Sequence, residues 1–180
     1  AQNPKGDPAR VLLDLKALDV HRDGTTKEFV QRLVLILNDR GAQMHDRVST
    51  YYAAGEQVVE FRKARVLHPD GTSAEAKLSR FGEGEEPPGG GGYRGAAVDL
   101  PSISVGDVVE IEYVREDTRL SFFGDYFGRR EVFQEEVPID EKVLVLKLPL
   151  EKKIYLHQRN MEVQPVVKRD ESSGAVTYVW

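Results

Sequence analysis

The chain predicts an all-β fold, an antiparallel sandwich or barrel with room for one short helix. Three observations carry this. Short runs of alternating apolar and polar residues recur along the sequence. Turn signals rich in Gly, Pro, Asn and Asp separate them, and no strand–helix–strand alternation appears. The last point rules out a doubly wound nucleotide-binding fold. With 180 residues, 40% of them hydrophobic and 31% charged, one core can form without a disulfide or metal staple.

Residues 1–9 read as a polar, proline-containing leader, and 10–180 as a single domain. From Arg10, Val11, Leu13 and Leu15 alternate with Leu12, Asp14 and Lys16, a strand that runs to about Val20. Asp23-Gly24 then marks a hairpin turn. Thr25 to Leu37 is the return strand, closed by a turn at Asn38-Asp39-Arg40-Gly41. Ala42 to Gly55 fits either a short helix over 46–54 or an irregular edge strand carrying Val48, Tyr51 and Tyr52. Strand character returns at Gln57–Phe61 and Ala64–Leu67, and His68-Pro69-Asp70-Gly71 turns the chain into a return strand over Thr72–Phe81. Residues 82–95 hold seven of the 16 glycines with Glu83, Glu85 and Glu86, which reads as a loop. A phosphate cradle there would need a lysine and a helix behind it, and the acids repel anions. Val108–Val114 is the clearest strand, and Glu131–Val137, Val143–Leu148, Ile154–His157, Val163–Val167 and Val176–Trp180 complete the series.

Composition narrows function. The 25 basic and 30 acidic residues leave a net charge of −5, and neither half is basic, which argues against a phosphate-tracking nucleic-acid surface. The absence of cysteine removes thiol nucleophiles, disulfides and zinc–thiolate sites together. The longest apolar run, Leu33–Leu37, is far short of the ~20 residues a membrane-spanning helix needs. No cofactor motif is present, and no cofactor is expected. The missing initiator Met and a last strand running to Trp180 lead to the expectation of a piece of a longer protein.

Few side chains suggest chemistry. His21, His45, His68 and His157 are scattered, with no metal-ligand spacing. Glu110 and Glu112 share one strand face about 7 Å apart by the strand rise, within the range of two-carboxylate glycosidases. Solvent faces of half-buried strands carry such pairs routinely. No serine sits in a nucleophile elbow. The run Phe122-Phe123-Gly124-Asp125-Tyr126-Phe127, flanked by Arg119, Arg129 and Arg130, is either part of the core or an exposed docking or binding surface.

Three stretches in order resemble a known family. They are Ala64 to Gly71, Leu100 to Tyr113 with its Ser104-Val105-Gly106-Asp107 turn, and Val137-Pro138-Ile139 followed by a strand ending at Leu148-Pro149. Together they resemble the domain of unknown function that precedes transglutaminase-like domains in many bacterial envelope proteins. The resemblance implies an immunoglobulin-like β-sandwich that does no chemistry itself, a periplasmic or cell-envelope location, and a downstream, papain-like catalytic domain as partner. No catalytic, cofactor or metal residue is carried over with it. The leading expectation is therefore a non-catalytic auxiliary domain that packs against or positions that partner. A glycan- or peptide-binding module built on Phe122, Phe123, Tyr126 and Phe127 is the rival, and a hydrolase built on paired carboxylates is the third reading.

Overall fold

The computed structural model describes residues 6–84 and 92–180. Its strands are β1 (Ala9–Val20), β2 (Thr26–Ile36), β3 (Arg47–Ala53), β4 (Gln57–Leu67), β5 (Ser73–Glu75) and β6 (Arg80–Phe81). They are followed by β7 (Tyr93–Asp99), β8 (Val108–Asp117), β9 (Lys142–Pro149), β10 (Val166–Asp170) and β11 (Ala175–Val179), with one helix, α1 (Asp39–Met44). The expected all-β sandwich is what forms. One large sheet runs β10-β11-β9-β1-β2-β8-β4-β5, with β6 also on β4, and β3 pairs β7 in a second, two-stranded sheet. Among the described strands all pairings are antiparallel except one: β1 runs parallel to β9 while pairing antiparallel with β2. That parallel pair joins distant parts of the chain.

Period-two alternation sends successive side chains to opposite faces. On the inner face, Val11, Val34, Ile36, Val59, Phe61, Ala64, Val109 and Ile111 of the large sheet meet Tyr52, Ala96 and Val98 of the small one, giving the main core. A second cluster, Leu18, Val20, Leu146, Leu148 and Val176, lies farther along the same face under Phe127, Leu150, Ile154 and Trp180. The two clusters are separated by charge. On the outer face, Leu13, Leu15, Phe29, Leu33, Val143, Val145 and Val179 are half-buried and belong to neither cluster.

Several sequence expectations are corrected. Ala9 is a buried strand residue, so the leader ends before it. Asn38 to Gly41 is no turn but the start of α1: the Asn38 side chain accepts from the Gly41 N–H, and a Cβ on Gly41 would run into the Pro8 carbonyl. Of the two readings of 42–55, the strand carrying Val48, Tyr51 and Tyr52 is the one that forms, at 47–53, and the helix over 46–54 does not, because Tyr52 enters the core from that strand. The return strand expected over Thr72–Phe81 is reduced to β5 and β6. Tyr93 and Gly95, placed in the glycine-rich loop, belong to β7, and residues 85–91 of that loop lie outside the described residues. Glu131–Val137 and Ile154–His157 are not strands.

Residues 127–139, which hold the first of these, form an extended strap over the inner face. Alternate positions 127, 131, 133, 137 and 139 are half-buried, so the strand-like pattern is real, but side chains hold the strap where a ladder was expected. Arg129 pairs with Glu28, Lys16 with Glu131, and Arg32 donates to Glu135 at 2.8 and 2.5 Å. Only at its end does backbone bonding take over, where Val11 N–H donates to the Pro138 carbonyl at 2.9 Å.

The three stretches that carried the family resemblance are turn and packing positions. Asp107 is buried in the Ser104–Asp107 turn, where its carboxylate accepts from Ser104 N–H at 2.7 Å and meets His68 Nδ1 at 2.9 Å. The first two motifs thus touch each other. The third supplies the Pro138 carbonyl just named.

Two predictions follow from these contacts. Asp107→Ala strands the Ser104 N–H and the His68 ring, and should cost about 2 kcal/mol. Urea unfolding should show it as a lower midpoint at unchanged slope; an unchanged midpoint would contradict the assignment. For the strap, the Arg32 guanidinium holds the Glu135 carboxyl below its usual range, against the opposing effect of burial. A carboxylate depressed in the folded state stabilises fully above its unfolded value, and that stability drains away as pH falls through the folded one. Proteolytic cleavage within 129–137, relative to an unstructured peptide of the same sequence, should therefore quicken once pH drops below about 4, and Arg32→Gln should quicken it at neutral pH. A rate that ignores both changes would show that the ion pairs do not hold the strap.

Candidate functional site

The aromatic run lies in the connection between β8 and the strap, at the end of the sheet where β1 turns into β2. Its residues divide. Phe127 packs on the second core cluster, as the core reading of the run expected. Phe122, Phe123 and Tyr126 do not: they are 97%, 73% and 65% exposed, with Leu120 exposed beside them. Phe122 and Phe123 meet edge to face with centroids 5.6 Å apart, and Phe123 and Tyr126 do the same at 6.3 Å. The result is a projecting knob in which Phe123 meets Phe122 on one side and Tyr126 on the other, both edge to face. It is no flat platform.

The knob is fixed at several points. Gly124 N–H donates to the Ser121 carbonyl at 3.0 Å, closing a tight turn in which Gly124 takes φ 67°. Lys152 Nζ donates to the Asp125 carbonyl at 2.6 Å and to the Arg22 carbonyl at 3.3 Å, tying the knob to the β1–β2 hairpin. Gly24 at the tip of that hairpin has φ 87°, and a Cβ there would sit 2.7 Å from the Asp125 carbonyl carbon. Downstream, Phe127 is seated in the second cluster and Arg129 is clamped on buried Glu28. Arg119 and Arg130 flank the knob, are exposed, and have no ion-pair or hydrogen-bond partner among the described residues.

The paired carboxylates have a different character. Glu110 Oε2 accepts from Arg65 at 2.7 Å and its Oε1 from Lys63 and Gln31, while Glu112 accepts from Lys63 at 2.6 Å and Gln31 at 3.1 Å. Burial alone would raise the Glu110 pKa, yet the Arg65 and Lys63 hydrogen bonds win and lower it. A general acid needs the opposite shift. Glu28, which sequence reasoning did not single out, is likewise saturated by Arg115 and Arg129. These are interlocking ion pairs across strands.

The histidines do not converge. His21 bonds Thr25, His68 bonds Asp107, and burial together with the nearby Arg32 guanidinium lowers the pKa of His45. Among the described residues no group of three or more His, Asp or Glu is placed to hold a metal ion. No helix among them is long and apolar enough to cross a membrane. A second aromatic feature escaped the sequence reading: Tyr51 and Tyr93 are exposed on one face of the small sheet, on which Tyr93 pairs with Ala53. Only the pairing of β3 with β7 brings them together, and no local pattern announces it.

With this geometry in hand, comparison with known proteins is specific about fold and silent on chemistry. Residues 22–180 match a family described as a domain of unknown function of solved structure, DUF3857. A crystal structure of a candidate protease from Parabacteroides distasonis superposes with a TM-score of 0.74 at 15% identity, covering 96% of this chain and 35% of that one. An M1 zinc metallopeptidase from Deinococcus radiodurans, a variant bound to a Tyr-Ser-Ala substrate, gives 0.48 at 12% identity, covering 96% and 39%. The chain thus spans little more than a third of the length of these solved structures. No curated protein matches it.

The hairpin contact generates a prediction. Gly24→Ala forces a Cβ against the Asp125 backbone at a positive φ, and should destabilise by more than about 1 kcal/mol. It should also speed proteolysis within 119–127; unchanged cleavage would mean that the hairpin does not hold the knob.

Proposed function

The chain belongs to the DUF3857 family, and we propose that it is a non-catalytic auxiliary domain of an envelope protein that packs against and positions a transglutaminase- or protease-like domain of the same polypeptide. The observation that carries this reading is the knob. Large rings exposed to water are costly unless something covers them, and contiguous exposed apolar groups mark interaction sites. Phe, Tyr and Arg are the residue types enriched at protein interfaces. Fixing them before contact lowers the entropy lost on docking. The backbone turn, the Lys152 tether and the Gly24 contact do that fixing here.

Two further points support the reading. A closely similar fold occurs within a chain nearly three times as long that is named as a candidate protease. The resemblance of the three turn motifs points to a papain-like partner, whose thiolate nucleophile this cysteine-free chain does not supply. A glycan-binding module is the second reading, favoured by the outward Tyr51 and Tyr93 on an exposed sheet. The edge-to-face rings of the knob count against sugar stacking there.

The test is the open reading frame beyond Trp180 together with its product. The expected outcome is a following domain with Cys, His and Asp in papain-like roles, active in the full-length protein and abolished by substituting that Cys. A stop codon shortly after Trp180, with purified chain retained on envelope glycan through Tyr51 and Tyr93, would replace this reading with the binding module. Amide hydrolysis by the cysteine-free chain alone would overturn both.

A further inference from the structure

We infer that the surface received by the knob is an apolar pocket rimmed by carboxylates, with Arg119 and Arg130 as the residues that select it; this rests on the auxiliary-domain reading and names the partner chemistry of that docking site.

The inference starts from the local charge, which runs against that of the whole chain. The protein carries −5. Across residues 119–130, however, three arginines face one acid, Asp125, and that acid is already met by Lys152 at 3.6 Å. Arg129 is also spoken for, since Glu28 and Glu131 hold it inside the strap. What remains unpaired is one guanidinium on each side of the rings, Arg119 before Leu120 and Arg130 after Phe127. An arginine beside exposed aromatic surface is a strong donor, and its planar fork matches a carboxylate bidentately. Elsewhere in this molecule nearly every comparable cation at the sheet already has such a partner: Arg32 has Glu135, Arg65 has Glu110, Arg115 has Glu28. The same pairing is left open on both sides of the projecting rings.

Shape decides between a protein and a lipid surface, both of which would accept aromatic rings flanked by cations. A bilayer tolerates any arrangement of rings at its interface and gains nothing from a fixed one. Here successive rings are held edge to face, and the Lys152 side chain and the backbone of Gly24, from two other segments, hold the loop that bears them at Asp125. A convex body of defined shape fits a concave pocket. Complementary charge at the rim of such a pocket then sets orientation and excludes wrong surfaces.

Full-length protein provides the test, by calorimetry and by sedimentation with vesicles of phosphatidylglycerol. Wild-type protein is expected to unfold in one coupled transition and to stay in the supernatant. R119E/R130E should split that transition in two, as should F122S/F123S, and high salt should weaken the wild-type coupling as the charge reversal does. Cleavage between the domains should rise by about tenfold or more in both variants. All four substitutions are at exposed sites, so each variant should keep the β-sheet circular dichroism of the wild type; Arg119→Gln with Arg130→Gln gives a milder second pair. If F122S/F123S uncouples the domains while both arginine pairs behave as wild type, docking stands and the acidic rim is overturned. If neither class of variant uncouples them, or the wild type shows two independent transitions, the docking reading itself falls. Sedimentation with the vesicles that both variants abolish would reassign the knob to an anionic lipid surface.

Discussion

Two buried carboxylates set the terms for much of this structure. Asp14 on β1 and Glu28 on β2 are 1% and 2% exposed, and they lie on the inner face between the two apolar clusters. A charge removed from water costs several kcal/mol unless cations and hydrogen bonds compensate it. The compensation comes from remote sequence. Lys142 on β9 reaches Asp14 at 2.6 Å, and Arg115 on β8 and Arg129 on the strap reach Glu28. The parallel β1–β9 pairing places Lys142 directly opposite Asp14, so register and ion pair specify each other. A one-residue slip would send Asp14 to the outer face and leave Lys142 stranded. Buried ion pairs of this kind add little net stability; what this one does is tie a charge to the register of the out-of-sequence parallel contact in a nine-stranded sheet.

The strap follows from the same constraint. Its alternate side chains carry Arg129, Glu131 and Glu135 toward partners on β1 and β2, and Lys142 lies 5.7 Å from the ring centre of Phe133. It covers an inner face too polar for an aliphatic layer and too buried for water alone. Other half-buried apolar residues of the large sheet, Leu13, Leu15 and Leu33 among them, lie on the opposite face.

What could be read from the sequence was local. Alternation in 11–20, 26–36, 57–67 and 108–114 was legible because each strand has one face in a core, and Gly24 and Gly71 announced their turns by composition. The same alternation misled at 131–137, where its cause was side-chain pairing across a sheet face, since period two reports half-burial and says nothing of a ladder. Asn38-Asp39-Arg40-Gly41 misled in the other direction. A glycine in a helix normally weakens it, and the reason for this one is the Pro8 carbonyl thirty-three residues earlier, a contact no window can contain. At the candidate site the residues themselves were legible as an unusual aromatic density. Their division was not, because Phe127 enters a cluster assembled from β1, β9 and β11 while Phe122, five residues earlier, touches none of it.

That division has a mechanical consequence. A loop joined to its domain at one end swings, and a contact surface on it must lose that freedom on binding. Here the segment leaves β8 at Asp117, whose carboxylate accepts from Thr26 N–H at 2.7 Å and from Gln57 at 2.7 Å. It re-enters the domain through Phe127 in the second cluster and Arg129 on Glu28. Between these two anchors Lys152 and Gly24 hold Asp125. The buried charge of Glu28 therefore acts at a distance: it requires Arg129, Arg129 fixes the start of the strap, and the strap fixes the far end of the knob. The acid that an apolar interior would be expected to exclude becomes the fastening for an exposed aromatic surface.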